Sequence, residues 1–223
     1  VYRTALTPNQ ITVIAMLLGV VAGAFFAVGT HAALVAGALL LVAYDVLDCS
    51  DGQLARLKKN GTRLGRILDG FADYVVDVAA YVGIGIGFAS AGDNPGLWWT
   101  LLVAAGASNV VHAVIVDYYR NRYLDVVLQR VSTFEEDLHA FEEERETLRT
   151  QGGHALARTL ISLYIGYSRL QRRLTAGGGE HGHLAGVAPE TYRAKNRRII
   201  RLWLWLGPTT QITFLVTCAL ANR

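Results

Sequence analysis

The chain has 223 residues, of which 52% are hydrophobic, with a mean hydropathy of +0.30 and a formal net charge of +3. That is too apolar for an average soluble domain. Its apolar residues fall in blocks about as long as the roughly 20 residues that a bilayer span needs, so the fold class is read as an all-α polytopic membrane protein. No basic surface is interleaved with aromatics, which argues against nucleic acid as a partner.

Val1 is not an initiator Met, so the chain reads as a fragment of a longer protein, and no cleavable signal peptide is read at its start. Thr7-Pro8-Asn9 looks like a helix start, with Thr7 as N-cap and Pro8 in the first turn. The first span is placed at about residues 11–29, where Gly19, Ala22 and Gly23 would allow close helix packing. The second, at about 31–56, begins apolar and turns acidic from Asp45 onward. A basic loop at 57–64 separates it from the third, at about 65–92, whose first half carries Asp69, Asp73 and Asp77.

Asp93-Asn94-Pro95-Gly96 marks a turn on the far side. The fourth span, at about 97–119, opens with Trp98 and Trp99, which suit an interfacial aromatic belt. Residues 123–201 are polar and read as an insertion on the cytoplasmic side. Ser132-Thr133-Phe134-Glu135 resembles a capping box for an acidic, solvated helix at 134–149. Residues 154–174 carry apolar residues at helical spacing among arginines, and are read as an amphipathic helix on the membrane surface. A Gly-rich stretch at 176–189, with His181 and His183 read as solvated, leads to a fifth span at about 202–220. A sixth span is expected outside this fragment, in preference to 154–174 dipping into the bilayer. Basic residues at 56–66, at Arg120 and Arg122, and at 193–201 put those loops on the cytoplasmic side. Cys49 and Cys218 then lie near opposite membrane faces, which argues against a disulfide.

The densest chemistry lies in residues 48–73, spaced D-x2-D-G-x2-A-R-x8-G-x3-D-x3-D. At about 100° per residue, Asp48, Asp51 and Ala55 share one helix face, and Gly65, Asp69 and Asp73 share one face of the next helix. A helix hairpin would let the two faces oppose. Four carboxylates beside a membrane are costly unless compensated, and divalent metal with a phosphate-bearing ligand is the natural compensation. Gly52 and Gly65 remove side chains where a ligand or backbone must come close, and Arg56 supplies a permanent cation for a phosphate or carboxylate.

This spacing, complete at every fixed position, resembles the signature of the CDP-alcohol phosphotransferase (CDP-alcohol phosphatidyltransferase) family, and the hydropathy of the whole chain resembles that family's six-span helical bundle. The insertion at 123–201 departs from the compact family pattern. The resemblance implies a single membrane catalytic domain over 1–223. It implies a CDP-linked lipid donor, commonly CDP-diacylglycerol, that gives its phosphatidyl group to an alcohol acceptor with release of CMP. It also implies two divalent cations, Mg²⁺ or Mn²⁺, held by Asp48, Asp51 and Asp69. Asp73 matches the general base and also the metal set. Gly52, Ala55, Arg56 and Gly65, with Asp51, match the nucleotide pocket, and Asn9 matches a residue able to reach the donor. Homodimers are common in such enzymes, so a second copy is an expected partner beside membrane lipids. The setting implied is a bacterial or archaeal cytoplasmic membrane with the active site facing the cytoplasm.

The residues support the same roles. A diphosphate repels an incoming oxygen and a carboxylate wall alike, and metals screen both. The attacking alcohol must lose a proton, and Asp73, the furthest along the third span of the four motif acids, is best placed to take it. Arg120, Arg197, Arg198 and Arg201 fit topology signals, or hold a phosphate on the acceptor; for that second role Arg120, Arg197 and Arg198 are the candidates. The favoured acceptor is a polar alcohol, with inositol phosphate as one candidate. Glycerol phosphate, serine, or a CDP-headgroup donor with diacylglycerol are alternatives, and a cation transporter is the rival from another class, disfavoured because its sites lie at broken helices near the midplane. Asp45 and Asp77 are read as a hydrogen-bonded pair that fixes packing rather than as ligand-orienting groups, and His112 as an uncharged, hydrogen-bonded histidine.

Overall fold

The computed structural model describes residues 6–92, 94–128, 134–153, 155–175, 188–205 and 207–221. Among them the regular elements are all helices: α1 (Pro8–Val28), α2 (His31–Lys58), α3 (Arg63–Ala91), α4 (Pro95–Leu128), α5 (Phe134–Gln151), α6 (Ala155–Thr175), α7 (Pro189–Leu204) and α8 (Pro208–Ala221). Five stretches are long and apolar enough to cross a membrane, namely α1, α2, α3, α4 and the run Pro189–Ala221. The fold is therefore all-α and polytopic. Val1, Asp93, the Ser132-Thr133 start of the expected capping box, His154, His181 and His183 lie outside the described residues.

Local sequence sets the ends. Thr7 caps α1 through a capping box, in which Gln10 N–H donates to Thr7 Oγ1 at 3.3 Å and Thr7 N–H donates to Gln10 Oε1 at 2.9 Å. Thr30 and Thr62 cap α2 and α3 in the same side-chain manner. Asn94 Oδ1 accepts from Leu97 N–H at the start of α4. Lys59 ends α2 in the left-handed region (φ 51°), with its N–H turned back to the Ala55 and Arg56 carbonyls, so the connection to α3 is short.

The chain divides into two compact units, Val1–Asn109 with Pro208–Arg223, and Val110–Gly207. In the first, α1 packs against both α2 and α3, and α8 packs on α2. Its core is Ala15, Ala22, Phe26, Leu41, Tyr44, Val76 and Ala80, drawn from α1, α2 and α3. Small residues let the backbones meet: a Cβ on Gly83 of α3 would fall on the Gly23 carbonyl of α1, and one on Gly87 would fall on the Phe26 carbonyl. Lipid supplies no hydrophobic drive between helices, so contact of this closeness is what holds them.

Two boundaries differ from the sequence reading. α4 runs 34 residues, roughly 51 Å at 1.5 Å per residue, against a hydrocarbon layer about 30 Å thick. It continues past the polar run at 117–122, so the first residues of the expected insertion are still helix. The expected fifth span at 202–220 is divided into α7 and α8. Pro208 cannot donate to the carbonyl one turn back and its ring crowds it, so α7 stops at Leu204 and α8 restarts at Pro208.

In the second unit α5 and α6 form an antiparallel hairpin joined by Gly152 and Gly153, both at positive φ (69° and 73°). Leu160, Ile161 and Ile165 of α6 are buried with Leu138 and Phe141 of α5, and the Phe141 and Tyr164 rings lie 4.7 Å apart. Arg169 Nη2 donates to Glu142 Oε1 at 2.8 Å across the pair. Much of the apolar stripe of α6 expected on lipid therefore faces α5.

Candidate active site

The acidic halves of α2 and α3 converge. Carboxylate oxygens of Asp48 and Asp51 on α2 and Asp69 on α3 all lie within 4.8 Å of one another. The i, i+3 spacing of the first pair puts both on one face, and the short capped turn after Lys59 brings the Asp69 face opposite. α1 holds the two helices in place, since it packs on each of them. Asp51 is buried, at 4% exposure, while Asp48 and Asp69 are half-buried.

Asp51 is steadied from α1, where Thr12 Oγ1 donates to Asp51 Oδ2. Thr12 lies one turn after Asn9, so one face of α1 serves the site. Asp73 stands one turn beyond Asp69 and outside the three-carboxylate group. It accepts a 2.6 Å hydrogen bond from Tyr44 Oη, and its carboxyl lies beside that of Asp48. Tyr44 and Thr12 went unnoticed in the sequence. For Tyr44 a signal existed, because it precedes Asp48 by one helical turn. For Thr12 the signal was weaker, a hydroxyl on the same face as Asn9.

No described Lys or Arg pairs with Asp48, Asp51, Asp69 or Asp73. Three close carboxylates with no protein cation are a poor arrangement on their own, because like charges in a weakly polarisable setting repel strongly. The donor set is hard oxygen alone, which fits a divalent ion of the magnesium or manganese type rather than zinc or copper. The residues therefore fit a divalent metal.

The expected nucleotide-pocket residues lie on α1, α2 and α3, the helices that carry or hold this cluster. A Cβ on Gly65 would lie 2.8 Å from Asn9 Oδ1 and 3.0 Å from Thr62 Oγ1, so the Asn9 amide sits against the first turn of α3. Around Gly52 a Cβ would meet nothing within 4 Å, which leaves free space one residue from Asp51. Ala55 is half-buried, with its Cβ 3.7 Å from where one on Gly61 would be. Arg56 is exposed, and its side chain makes no ion pair or hydrogen bond with a described residue.

Deeper along the same helices, Asp45 and Asp77 do not pair with each other as expected. Asp77 Oδ2 accepts from Asn109 Nδ2 at 3.3 Å, and Asn109 Oδ1 accepts in turn from Gln211 Nε2 at 2.9 Å. Asp45 Oδ1 accepts from Thr209 Oγ1 at 3.4 Å. Each acid is tied to a different helix, because α4 and α8 offer amide and hydroxyl donors at that depth. Neither Asn109 nor Gln211 stood out in the sequence.

In the second unit Arg120 lies exposed on α4 and pairs with Asp117 at 3.6 Å, while Arg197 and Arg198 lie exposed on α7. His112 Nε2 is buried with no hydrogen-bond partner among the described residues, which corrects the hydrogen-bonded reading. Its ring packs instead 6.4 Å from Trp203. Cys49 and Cys218 are both free.

The sequence profile of the family described as CDP-alcohol phosphatidyltransferase matches residues 5–134. The chain is 31% identical over 129 residues to the phosphatidylinositol phosphate synthase of Mycobacterium marinum, covering 54% of this chain and 48% of that protein. It is 30% identical over 129 residues to the synthase of the same name from Mycobacterium tuberculosis, covering 54% and 52%. It is also 30% identical over 117 residues to a bifunctional IPC transferase and DIPP synthase of Thermococcus kodakarensis, covering 52% of this chain and 24% of that protein. The chain thus spans about half the length of the synthases it matches.

Proposed function

The chain belongs to the CDP-alcohol phosphatidyltransferase family, and from that premise we propose that it transfers a phosphatidyl group from CDP-diacylglycerol to a phosphorylated inositol, releasing CMP, in phospholipid synthesis. The observation that carries this reading is the convergence of Asp48, Asp51 and Asp69 from two helices with no protein cation to balance them. The relatives favour the acceptor, since two of them are named phosphatidylinositol phosphate synthases.

In this proposal Asp48, Asp51 and Asp69 hold two divalent cations, Mg²⁺ or Mn²⁺. When bound, such ions screen the donor's diphosphate and steady the departing CMP. Thr12 fixes the rotamer of Asp51 and so keeps its free oxygen turned toward Asp48 and Asp69. The open space at Gly52 admits the donor beside that carboxylate. Asn9 and the first turn of α3 at Gly65 offer polar groups to the nucleotide, and Arg56, a guanidinium that stays charged, offers a phosphate partner. Asp73, held by Tyr44, takes the proton of the attacking hydroxyl, and its place next to Asp48 lets it also support the metal set. Arg120, Arg197 and Arg198 are assigned to the acceptor's phosphate.

The same reading makes residues 1–223 one membrane catalytic domain, with the insertion at about 123–201 and the loop between α2 and α3 on the cytoplasmic side of a bacterial or archaeal membrane. A homodimer is the proposed assembly. The test is to incubate the purified protein with CDP-diacylglycerol, Mg²⁺ and a panel of alcohols. CMP release that depends on inositol phosphate is the expected result; release driven by serine or glycerol phosphate would overturn the acceptor, and no release with any alcohol would overturn the reaction.

A further inference from the structure

The α5–α6 hairpin contains a basic groove that the chemistry above does not use. Arg145 and Arg149 on α5 meet Arg158, Thr159, Ser162 and Leu163 on α6 around an open cavity of about 410 Å³. The one acid in it, Glu146, is engaged by Arg149 at 3.7 Å, and neither Arg145 nor Arg158 pairs with a described residue. The Thr159 and Ser162 hydroxyls donate to the Ala155 and Arg158 carbonyls of their own helix, so the groups left to meet phosphate oxygens are the unpaired guanidinium groups of Arg145 and Arg158.

A second observation on the same helix points to what carries that phosphate. Leu156, Leu163 and Leu170 are 73%, 56% and 53% exposed. A spacing of seven puts them in one line along α6, on the side away from the stripe buried against α5. The line runs roughly 21 Å at 1.5 Å per residue, most of the helix. α6 carries arginines and no Asp or Glu; α5 carries seven acids, of which Glu142 and Glu146 are engaged by Arg169 and Arg149 and Glu143 lies 3.3 Å from His139. In sequence, the hairpin lies between two stretches long enough to cross a membrane, Pro95–Leu128 and Pro189–Ala221.

We infer that the hairpin lies along the bilayer surface, with the leucine line of α6 in the headgroup boundary and the Arg145–Arg149–Arg158 groove on the phosphate of an anionic phospholipid. The partner is the lipid surface, not a free anion: a groove made for free phosphate needs no row of leucines beside it, and a free-standing soluble hairpin would not keep that row exposed. Arginine attraction and shallow apolar insertion are the two terms that hold interfacial helices.

The test is hydrogen exchange of the full chain in nanodiscs of purely zwitterionic lipid and in discs containing anionic phospholipid. Amides of α6 should exchange roughly fivefold more slowly in the anionic discs, the factor that a single arginine near such a surface supplies. High salt should remove the difference. The double variant Arg145→Gln/Arg158→Gln, and separately Leu163→Gln, should each shrink it. Should a variant unfold the hairpin, the lipid and salt comparison on the unaltered protein decides alone. Equal exchange in both discs overturns the inference. So does equal protection by inorganic phosphate in detergent, which would mean a free-anion site, or protection that rises with protein concentration, which would mean a second copy.

Discussion

Asp51 and Asp73 occupy different surroundings, and that difference should separate their roles. Asp51 is buried, held by Thr12, and one of the three clustered carboxylates. Asp73 stands outside that group with Tyr44 as its partner. Asp51→Asn should weaken binding of Mg²⁺ and nucleotide together, because a carboxamide is a poorer ligand for a hard cation. Asp73→Asn should leave nucleotide binding in place and slow turnover at least ~10²-fold, the size typical of a lost general base. A nucleotide titration with Mg²⁺, run beside turnover for both variants, reads this directly; equal loss of binding in both would make Asp73 chiefly a ligand, and Asp77 the next candidate for the base. Thr12→Val keeps the shape and removes the donor to Asp51. It should destabilise the protein by about 1.5–3 kcal/mol, the range for a hydrogen bond to a charged group, seen as a lower midpoint of thermal unfolding in detergent. The contacts that these two hydroxyls make with acids of other helices were the part of the site that spacing could not supply. Helical periodicity relates residues of one helix, and Thr12 meets Asp51 only once α1 has packed against α2.

α1 and α3 meet through bare backbone, which gives their glycines unequal weight. Gly83→Val would force branched atoms onto the Gly23 carbonyl. Overpacking of this kind costs about 1–3 kcal/mol or more, and because α1 positions both acidic helices, metal binding should fall with stability. Gly106 of α4 has nothing within 4 Å of where its Cβ would be. Gly106→Ala should therefore be neutral, or stabilising by up to about 0.5–1 kcal/mol from helix propensity. Thermal unfolding of the two variants side by side checks the contrast, and equal effects would mean that the close approach of α1 and α3 is unimportant. The helices themselves were legible, because apolar blocks, caps and turns are local signals: Thr7 caps α1 as read, and α2 and α3 end within a few residues of their expected limits. What failed was non-local or marginal. The break before Pro208 was hidden by apolar residues on both sides of it, and the pairing of α6 with α5 cannot be told from lipid contact by periodicity alone.

At the scale of the whole molecule, the proposed orientation puts the Lys- and Arg-rich loop between α2 and α3 and the insertion both on the cytoplasmic side. Single cysteines at Asn60 and Thr150, placed in a background lacking Cys49 and Cys218, should both stay unlabelled by an impermeant thiol reagent outside intact cells; strong labelling of either would reverse the orientation. The family could be read from residues 48–73, since the whole spacing lies within one short stretch of sequence. The acceptor could not, because the arginines assigned to it also serve as topology signals. The central claim is that Asp48, Asp51 and Asp69 form a divalent metal site. Its most direct test is a titration of the purified protein with Mn²⁺, followed by electron paramagnetic resonance, against the variant Asp48→Asn/Asp51→Asn/Asp69→Asn. Saturable binding by the unaltered protein that disappears in a variant of unchanged helicity is the predicted result, and saturable binding that persists in that variant would contradict it.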